Sequence, residues 1–450
     1  MTAGTELLTP QQMQQVDDTC GIPINTLIER AGLAVAEEIV RRYGARKTVV
    51  LCGPGNKGRD GAVAARYLQS WGWPVVIGND IGDAELIIDA LYGSGLNREF
   101  PKSLADKVNS TGVPVVSIDV PSGLDGLTGH PRGASIRPNL TITFFRKKPG
   151  HVLLPGRALC GELVVRSIGI PDSVLSHKDI TAWENAKPEL PALATDGHKY
   201  RRGHALIISG GKFQTGASRL AACAALKIGA GLVTISGTAD ALSVHASHLT
   251  AVMLTETKST NDLTKLLADK RINAVCIGPA AGVGTKTTKN VKTVLESGAA
   301  VVLDADAITS CSRDPKQLFS WVQNIPGRSV IMTPHEGEFA RIFDSASLSK
   351  LDRARAAAKL SGAIILLKGA DTVIAHPDGR AKINTNAPPG LATAGSGDVL
   401  SGIVTGLLAQ GMDEFEAACA AVWLHGDAAQ KFAGTNLTAE ELLIKIRQTQ

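Results

Sequence analysis

The stretch TVVLCGPGNKGRDGAVAARYLQ, residues 48–69, passes from a five-residue β-branched run through a glycine-rich loop into a helix-forming segment. Thr48 to Cys52 reads as a strand and Gly61 to Gln69 as a helix, which makes a strand, loop, helix unit. Outward from it, apolar runs recur at 75–77, 86–91 and 113–120, separated by helix-length segments such as 101–109. None alternates with a period of two. Strands of that kind joined by helices predict a parallel sheet covered on both faces, and hence a doubly wound Rossmann-like domain.

Between Ile170 and Pro191 the periodicity fades in PDSVLSHKDITAWENAKPELP, and prolines at 171, 188 and 191 read as a linker. A second series of apolar runs follows at 205–209, 232–236, 274–278, 300–303, 329–332 and 363–367. Helices are expected at 217–228, at 351–360 and from near Gly397. The fold class is therefore α/β throughout, in two domains near 1–180 and 190–450, the second larger. No repeat of the first half appears in the second.

Composition narrows the function classes. With 450 residues and 44% hydrophobic content the chain is long enough for two or three cores and is not disordered. A balance of 47 Lys+Arg against 42 Asp+Glu, +5 overall, points to neither nucleic acid nor an anionic membrane as partner. The seven cysteines (Cys20, Cys52, Cys160, Cys223, Cys276, Cys311 and Cys419) are odd in number, scattered and never spaced C-x-x-C. That disfavours a disulfide framework and a zinc knuckle, and a reducing cytoplasm is expected. The first residues, MTAGTELLTPQQMQQVDD, carry no secretory core, and apolar runs such as 363–367 fall far short of the ~18 residues that span a bilayer. The 47 glycines cluster at the ends of apolar runs.

Gly53-Pro54-Gly55-Asn56-Lys57-Gly58 satisfies G-x-G-x-x-G between a strand and a helix, with Asp80 about twenty residues on, as a dinucleotide site requires. Backbone N–H groups at the helix start would receive a pyrophosphate. The same glycines also suit a tight βα turn with no ligand, and both readings stand at this level. Asp60 lies in the loop, and Asp89 and Asp119 close predicted strands, at the edge where open α/β sheets bind ligands. Three carboxylates there suit a cation or proton transfer better than pyrophosphate alone, although each singly also fits a cap or turn.

In the second half Ala394-Gly395-Ser396-Gly397-Asp398 precedes an apolar helix. Small residues admit an anion to a helix N-terminus, and Asp398 is placed to take a proton from a hydroxyl. This is a phosphoryl-transfer arrangement, with a capping aspartate as the bland alternative. Lys368-Gly369, the loop from Thr333 to Glu338, and Gly210-Gly211-Lys212 close three other predicted strands, so four loops share one edge. His335 alone also reads as a satisfied loop histidine, and Glu338 as a solvated charge. No G-x-x-x-x-G-K-[ST] loop occurs, so a nucleotide would bind by another geometry.

These motifs together resemble the bifunctional NAD(P)H-hydrate repair enzymes, in which an NAD(P)HX epimerase precedes an ADP-dependent dehydratase of ribokinase-like fold. The first half is similar in LIERAG (27–32), CGPGN (52–56), DGAVAARYL (60–68), DALYGSGLNREF (89–100) and SIDVPSGLDGLTG (117–129). The second is similar in GGKFQTGASRLAACAALKIGAGLV (210–233), LDADAI (303–308), TPHEGEF (333–339), LLKGADTVI (366–374) and GLATAGSGDVLSG (390–402). The resemblance spans nearly the whole chain. It implies repair of the hydrated nicotinamide ring of NADHX or NADPHX: ADP, or ATP in some members, phosphorylates the C6 hydroxyl and loss of phosphate restores the ring. It makes Asp398 the base and Gly395, Ser396 and Gly397 the anion hole. Lys368, Gly369, Ala370, Asp371 and Thr372 would hold the nucleotide with Mg2+, and Ala217, Gly282 and His335 would line the hydrate site. For the epimerase it implies substrate on Asn56, Lys57, Gly58, Arg59 and Asp60 and on Gly93, Ser94, Gly95, Leu96, Asn97, Arg98 and Glu99. Asp119 would be the acid/base, and a potassium ion would sit by Asp89 and Ser122. A homo-oligomer is expected.

The chain departs from the family at NKGRD (56–60), where NNGGD is usual. Lys57 replaces an asparagine that would ligate potassium; a lysine cannot ligate a cation, but its ammonium suits the same electrostatic position. Arg59 replaces a glycine and would strain the loop or block the pocket if that glycine had φ > 0 or touched ligand. Alternatively both residues would hold substrate phosphates; a weakened or altered epimerase is the expectation. Smaller departures are NAPPGL (386–391), with Leu391 for a methionine, and GPAAG (278–282) for GPGLG, which makes Gly282 a safer match than Ala280. Two rival readings are a ribokinase-like kinase that stops at the phosphorylated product and an N-terminal half that only binds. A Rossmann dehydrogenase falls behind, because no hydride-transfer constellation accompanies the loop.

Overall fold

The computed structural model describes residues 4–177, 180–191, 199–325, 327, 329–344, 349–432 and 436–446. The chain divides into two compact units, residues 1–184 and 185–450. In the first, six strands form one sheet: β1 (Thr48–Cys52), β2 (Val75–Ile77), β3 (Leu86–Ala90), β4 (Val115–Ile118), β5 (Leu140–Phe144) and β6 (Glu162–Arg166), in the order β2-β1-β3-β4-β5-β6. Every pair is parallel. The central β3, β4 and β5 are buried along their whole length, whereas the edges leave Val76, Ile77 and Val165 exposed. Two-sided burial is what makes the central strands read as unbroken apolar runs. Helices Pro10–Thr19, Ile24–Arg42, Asn56–Ser70 and Lys102–Asn109 complete the main elements.

Two strands escape the pattern, β5 and β6. In LTITF the alternating threonines imitate a half-exposed strand, but Thr141 and Thr143 are fully buried, and Thr141 satisfies its hydroxyl on the Cys160 carbonyl at 2.6 Å. The expected linker is also more ordered than its sequence suggests. It contains a 3-10 turn at Asp172–His177 and a short strand, β7 (Ala182–Glu184), with Trp183 buried; residues 178–179 lie outside the described part.

In the second unit the strands are β8 (His204–Ile208), β9 (Leu232–Gly237), β10 (Met253–Glu256), β11 (Ile272–Ile277), β12 (Ala300–Leu303), β13 (Val330–Met332), β14 (Ile364–Leu367), β15 (Val373–Ala375) and β16 (Ala381–Ile383). They lie in the order β10-β9-β8-β11-β12-β13-β14-β15-β16, parallel up to β14 and antiparallel beyond it. The expected α/β class holds in both units. Helix Ser396–Ala409 is buried from Val399 to Ala409. Gly402 and Gly406 let it lie almost on the backbone of helix Gly216–Lys227: a Cβ on Gly402 would meet the Ala221 carbonyl oxygen at 2.2 Å, and one on Gly406 the Ala225 oxygen at 2.7 Å. Such close crossing, with about 1.5–3 kcal/mol for each fully buried Leu, Ile or Val, fixes that helix in the core.

Candidate functional sites at the strand ends

In the first sheet the chain leaves β1 toward β2 on one side and resumes at β3 on the other, so the β1 and β3 loops flank a topological switch point, where such sheets bind ligands. A cavity of about 510 Å³ opens there, bounded by Asn56, Lys57, Asp60, the 93–98 loop, Asp119 and Lys148, with Met13, Asp17 and Leu27 from the first two helices. Two glycines of the fingerprint, Gly53 and Gly58, serve packing, whereas a Cβ on Gly55 would meet nothing within 4 Å. A Cβ on Gly53 would strike the Leu91 carbonyl oxygen at 1.7 Å, and one on Gly58 the Gly53 oxygen at 1.9 Å. They press the helix start onto the strand ends. Asp80, the fingerprint's acidic residue, is exposed and accepts from Gly82 N at 3.2 Å in a turn, away from the cavity.

Asp119 follows β4 with φ of 62°, a left-handed conformation that costs a non-glycine residue about 1–2 kcal/mol. Strain held at a pocket wall marks a functional position. Its carboxylate pairs with Lys148 and accepts from Thr143 Oγ1 at 3.2 Å and Ser94 N at 3.4 Å. Burial opposes its charge, but Lys148 outweighs that and holds its pKa below the ordinary value. His151 braces the turn: Nε2 donates to the Asp119 carbonyl at 2.9 Å, while Nδ1 accepts from Lys148 N at 3.1 Å, so the ring is neutral. Burial keeps it so, with its pKa pulled down to about 3. Asp60 and Asp17 behave oppositely. Burial raises Asp60 well above the carboxylate range and Asp17 to about 6, in each case with Asp119's charge adding to the rise. Lys148, His151 and Asp17 carry no motif; only the sheet register and the first helix bring them here.

Lys57 lies in the first turn of its helix with its ammonium enclosed: Nζ donates to Val120 O at 2.8 Å, Tyr92 O at 3.0 Å, Ser122 Oγ at 3.0 Å and Asp89 Oδ2 at 3.2 Å. Burial lowers its pKa and Asp89 offsets part of that. Asp89 is itself fully buried, receiving Ser117 Oγ and Ser122 N at 2.8 Å each and Ser122 Oγ at 2.5 Å. Asp89 and Ser122 therefore face an ammonium. Arg59 departs from expectation: it is helical, exposed and bonded to Asn25 Oδ1 at 2.6 Å and Asn56 Oδ1 at 3.3 Å, so it neither strains the loop nor fills the cavity. Gly58 and Glu99 also lie outside the cavity wall, whereas Gly93, Ser94, Gly95, Leu96, Asn97 and Arg98 form it.

In the second unit Asp398 stands in the first turn of helix Ser396–Ala409, behind Gly395, whose φ of 84° starts the helix without a side-chain cap. Asp398 is not the capping residue. Burial, then the Asp304 charge, raise its pKa to about 6. Lys368 Nζ donates to Asp304 Oδ1 at 2.8 Å, stands 3.9 Å from Glu338 Oε2 and lies 3.5 Å from where a Cβ of Gly397 would be. Burial works against its charge, but Asp304 and Glu338 hold its pKa above the ordinary lysine value. Asp304 also accepts from Ser401 Oγ at 2.5 Å, one turn along the helix from Gly397. His425 Nε2 donates to the Ser396 carbonyl at 2.9 Å and clamps the helix start.

Thr372 Oγ1 both accepts from Gly369 N at 3.1 Å and donates to Gly369 O at 2.6 Å, while Asp371 pairs with Lys350 at 2.6 Å, so the 368–372 loop is preorganised. Gly282 N donates to Asp306 Oδ2 at 2.9 Å. His335 is a helix cap: its Nδ1 accepts from Gly337 N at 2.9 Å and Glu338 N at 3.3 Å, with the ring largely exposed. Ala217 is half-buried in the first turn of its helix. Asp304 and Ser401 are participants that the sequence held only as motif letters, and Glu338, which also reads as a solvated charge, is buried beside Lys368.

The first unit provides a charged, half-open pocket, and the second a donor-rich helix start beside an unpartnered carboxylate. The profile of the NAD(P)H-hydrate dehydratase family matches residues 205–449, and that of the YjeF-related protein N-terminus matches 24–79 and 76–150. The bifunctional NAD(P)H-hydrate repair enzyme Nnr of Moorella thermoacetica is 34% identical, over 95% of this chain and 92% of that protein. The Archaeoglobus fulgidus enzyme of the same name is 34% identical over 97% of each. Among solved structures, an ADP/ATP-dependent NAD(P)H-hydrate dehydratase from Bacillus subtilis, co-crystallised with ATP and Mg2+, is 29% identical over 57% of this chain and 92% of that one, with a TM-score of 0.48. With its two halves matched in order and end to end, the chain belongs to the bifunctional NAD(P)H-hydrate repair enzyme family.

Proposed function

We propose that the second unit dehydrates the hydrated nicotinamide ring of NADHX or NADPHX at the expense of ADP, and that the first interconverts the R and S hydrates. The observation that carries the reading is Asp398: a carboxylate with a raised pKa, facing a lysine and a helix N-terminus. Its carboxylate takes the proton of the C6 hydroxyl as that oxygen attacks the terminal phosphorus of ADP; the bond to AMP breaks and AMP leaves. The amide N–H groups of Gly395 to Gly397 and the Lys368 ammonium meet the charge that spreads over the phosphoryl oxygens. The phosphorylated C6 oxygen then departs as phosphate, C5 gives up a proton, and the ring double bond is restored. Magnesium would be held by the phosphates of the nucleotide substrate, whose charge it would neutralise. Ala217 in the first turn of its helix, Gly282 in the loop after β11 and His335 at a helix cap would border the hydrate.

For the epimerase, Asp119, the acid/base that the resemblance implies, is held ionised by Lys148; in that state it supports positive charge on the ring nitrogen, and the proton transfers fall to Asp60 and Asp17. A protonated Asp60 or Asp17 gives its proton to the departing C6 hydroxyl, water leaves, and a second water adds to the opposite face as the carboxylate takes its proton back. Asn56 and the 93–98 loop border the ring and its phosphates. The test is to incubate R and S hydrate with ADP: recovery of the dihydronicotinamide absorbance from both isomers is expected. Phosphorylated hydrate accumulating without recovery would favour a kinase, and recovery from S alone would leave the first unit without its activity. No described helix is long and apolar enough to cross a membrane.

A further inference from the structure

The oxygen cage around Lys57 does not fit a bound potassium ion, because the ammonium already stands among the groups that would ligate it. We propose that Lys57 is a tethered monovalent cation: its ammonium takes the place of a free ion between Asp89, Ser122 and the Tyr92 and Val120 carbonyls, so the first unit needs no potassium. Three of these acceptors, a carboxylate and two carbonyls, can only accept, which demands three N–H donors and matches an ammonium. The Ser122 hydroxyl, which donates to Asp89, turns its oxygen to the same nitrogen. The side-chain stem passes beneath Gly93, where a Cβ would lie 3.7 Å from Lys57 Cβ and Cδ, so the lysine is packed along its length. The four oxygens come from the end of β3 and the loops after β3 and β4, and Lys57 itself from the first turn of the helix that follows β1. One charge thus ties together three strand ends, including the residue next to Asp119 and the loop that carries Gly93. Lys57 is a positioning residue, and it does without a dissociable ion what an exchangeable one would do.

The test compares the full chain in potassium chloride and in tetramethylammonium chloride at equal ionic strength, by calorimetric melting and by R-to-S exchange. The expected result is melting within about 1 °C and rates within about twofold, since an ion that does not bind cannot shift either. Lys57→Asn, which trades the ammonium for one more oxygen ligand, should melt several degrees higher in potassium than in tetramethylammonium and regain exchange at least about tenfold. Wild-type exchange stimulated more than about fivefold by potassium would overturn the proposal, as would a folded Lys57→Asn indifferent to potassium. Should that variant fold in neither salt, the wild-type comparison decides alone. Only the exchange assay rests on the epimerase reading: equal melting with no exchange refutes that reading and leaves the tethered cation standing.

Discussion

Both units set a lysine against a buried aspartate at the carboxyl edge of a parallel sheet, Lys57 with Asp89 and Lys368 with Asp304, yet the two ammonium groups have opposite prospects. Lys57 is 5% exposed and ringed by four oxygens, which leaves it no donor for a substrate. Lys368 is 19% exposed, has one carboxylate at hydrogen-bond distance and faces the glycines of a helix start. Burial and an acidic partner are common to both. What separates a lysine that braces the fold from one that meets phosphate is how many acceptors already surround it.

The largest expected effect tests the open side of this comparison. Asp398→Asn should lower dehydration about 10³-fold while leaving R-to-S exchange unchanged, measured by absorbance recovery and by isomer ratio. In the unaltered chain dehydration should fall as the pH drops through about 6, where Asp398 takes up a proton. The same group sets a stability signature. Because its folded pKa lies above the ordinary 3.8, its ionised form is disfavoured in the fold, so Asp398→Asn should gain on the order of 2 kcal/mol at pH 8 and nothing at pH 3, by chemical denaturation. A variant that lost stability at pH 8 would mean that the carboxylate is a structural partner, and the contrast with Asp89 would collapse.

Next in size is Lys148→Met, which strips Asp119 of the charge that keeps it ionised. Exchange should drop about 10²-fold and acquire an acid limb as the Asp119 pKa climbs toward the ordinary range, with dehydration intact. Gly58→Ala sharpens the enclosed side: its Cβ would stand 1.9 Å from the Gly53 carbonyl oxygen, and a loss of about 3 kcal/mol in denaturant melts is expected. The smallest effects come from the loops. Ala280 has φ of 52°, so Ala280→Gly should stabilise by up to about 1 kcal/mol. Arg59→Ala should leave both exchange and stability within about 0.5 kcal/mol, because the side chain is solvated.

The central strands of both sheets are legible in the sequence because two-sided burial leaves only apolar letters. β5 is not, since Thr141 and Thr143 hide a core strand behind hydroxyls, and neither are β10 and β16, where polar residues at half-exposed or exposed positions interrupt the apolar run. Asp119, Asp398, Lys368 and the glycine loops are visible as residue types at strand ends. Their partners are not: Lys148 reaches Asp119 only through the β4–β5 register, and Asp304 reaches Lys368 across 64 residues. The GPGNKG spacing left a phosphate loop and a tight βα turn both open, and the packing at Gly53 and Gly58 is what the turn requires. Arg59 looked obstructive only because its letter carries no rotamer.

The Ser396–Ala409 helix, finally, joins two properties that enzymes commonly keep apart. Its first turn holds Asp398, the carboxylate proposed to react, and the helix is buried in the core from Val399 to Ala409. Turnover in the second unit is therefore a gauge of core integrity: thermal inactivation and unfolding should coincide on a temperature scale, and a cavity cut at Leu407, far from any ligand, should register in the rate before it registers in the yield of soluble protein.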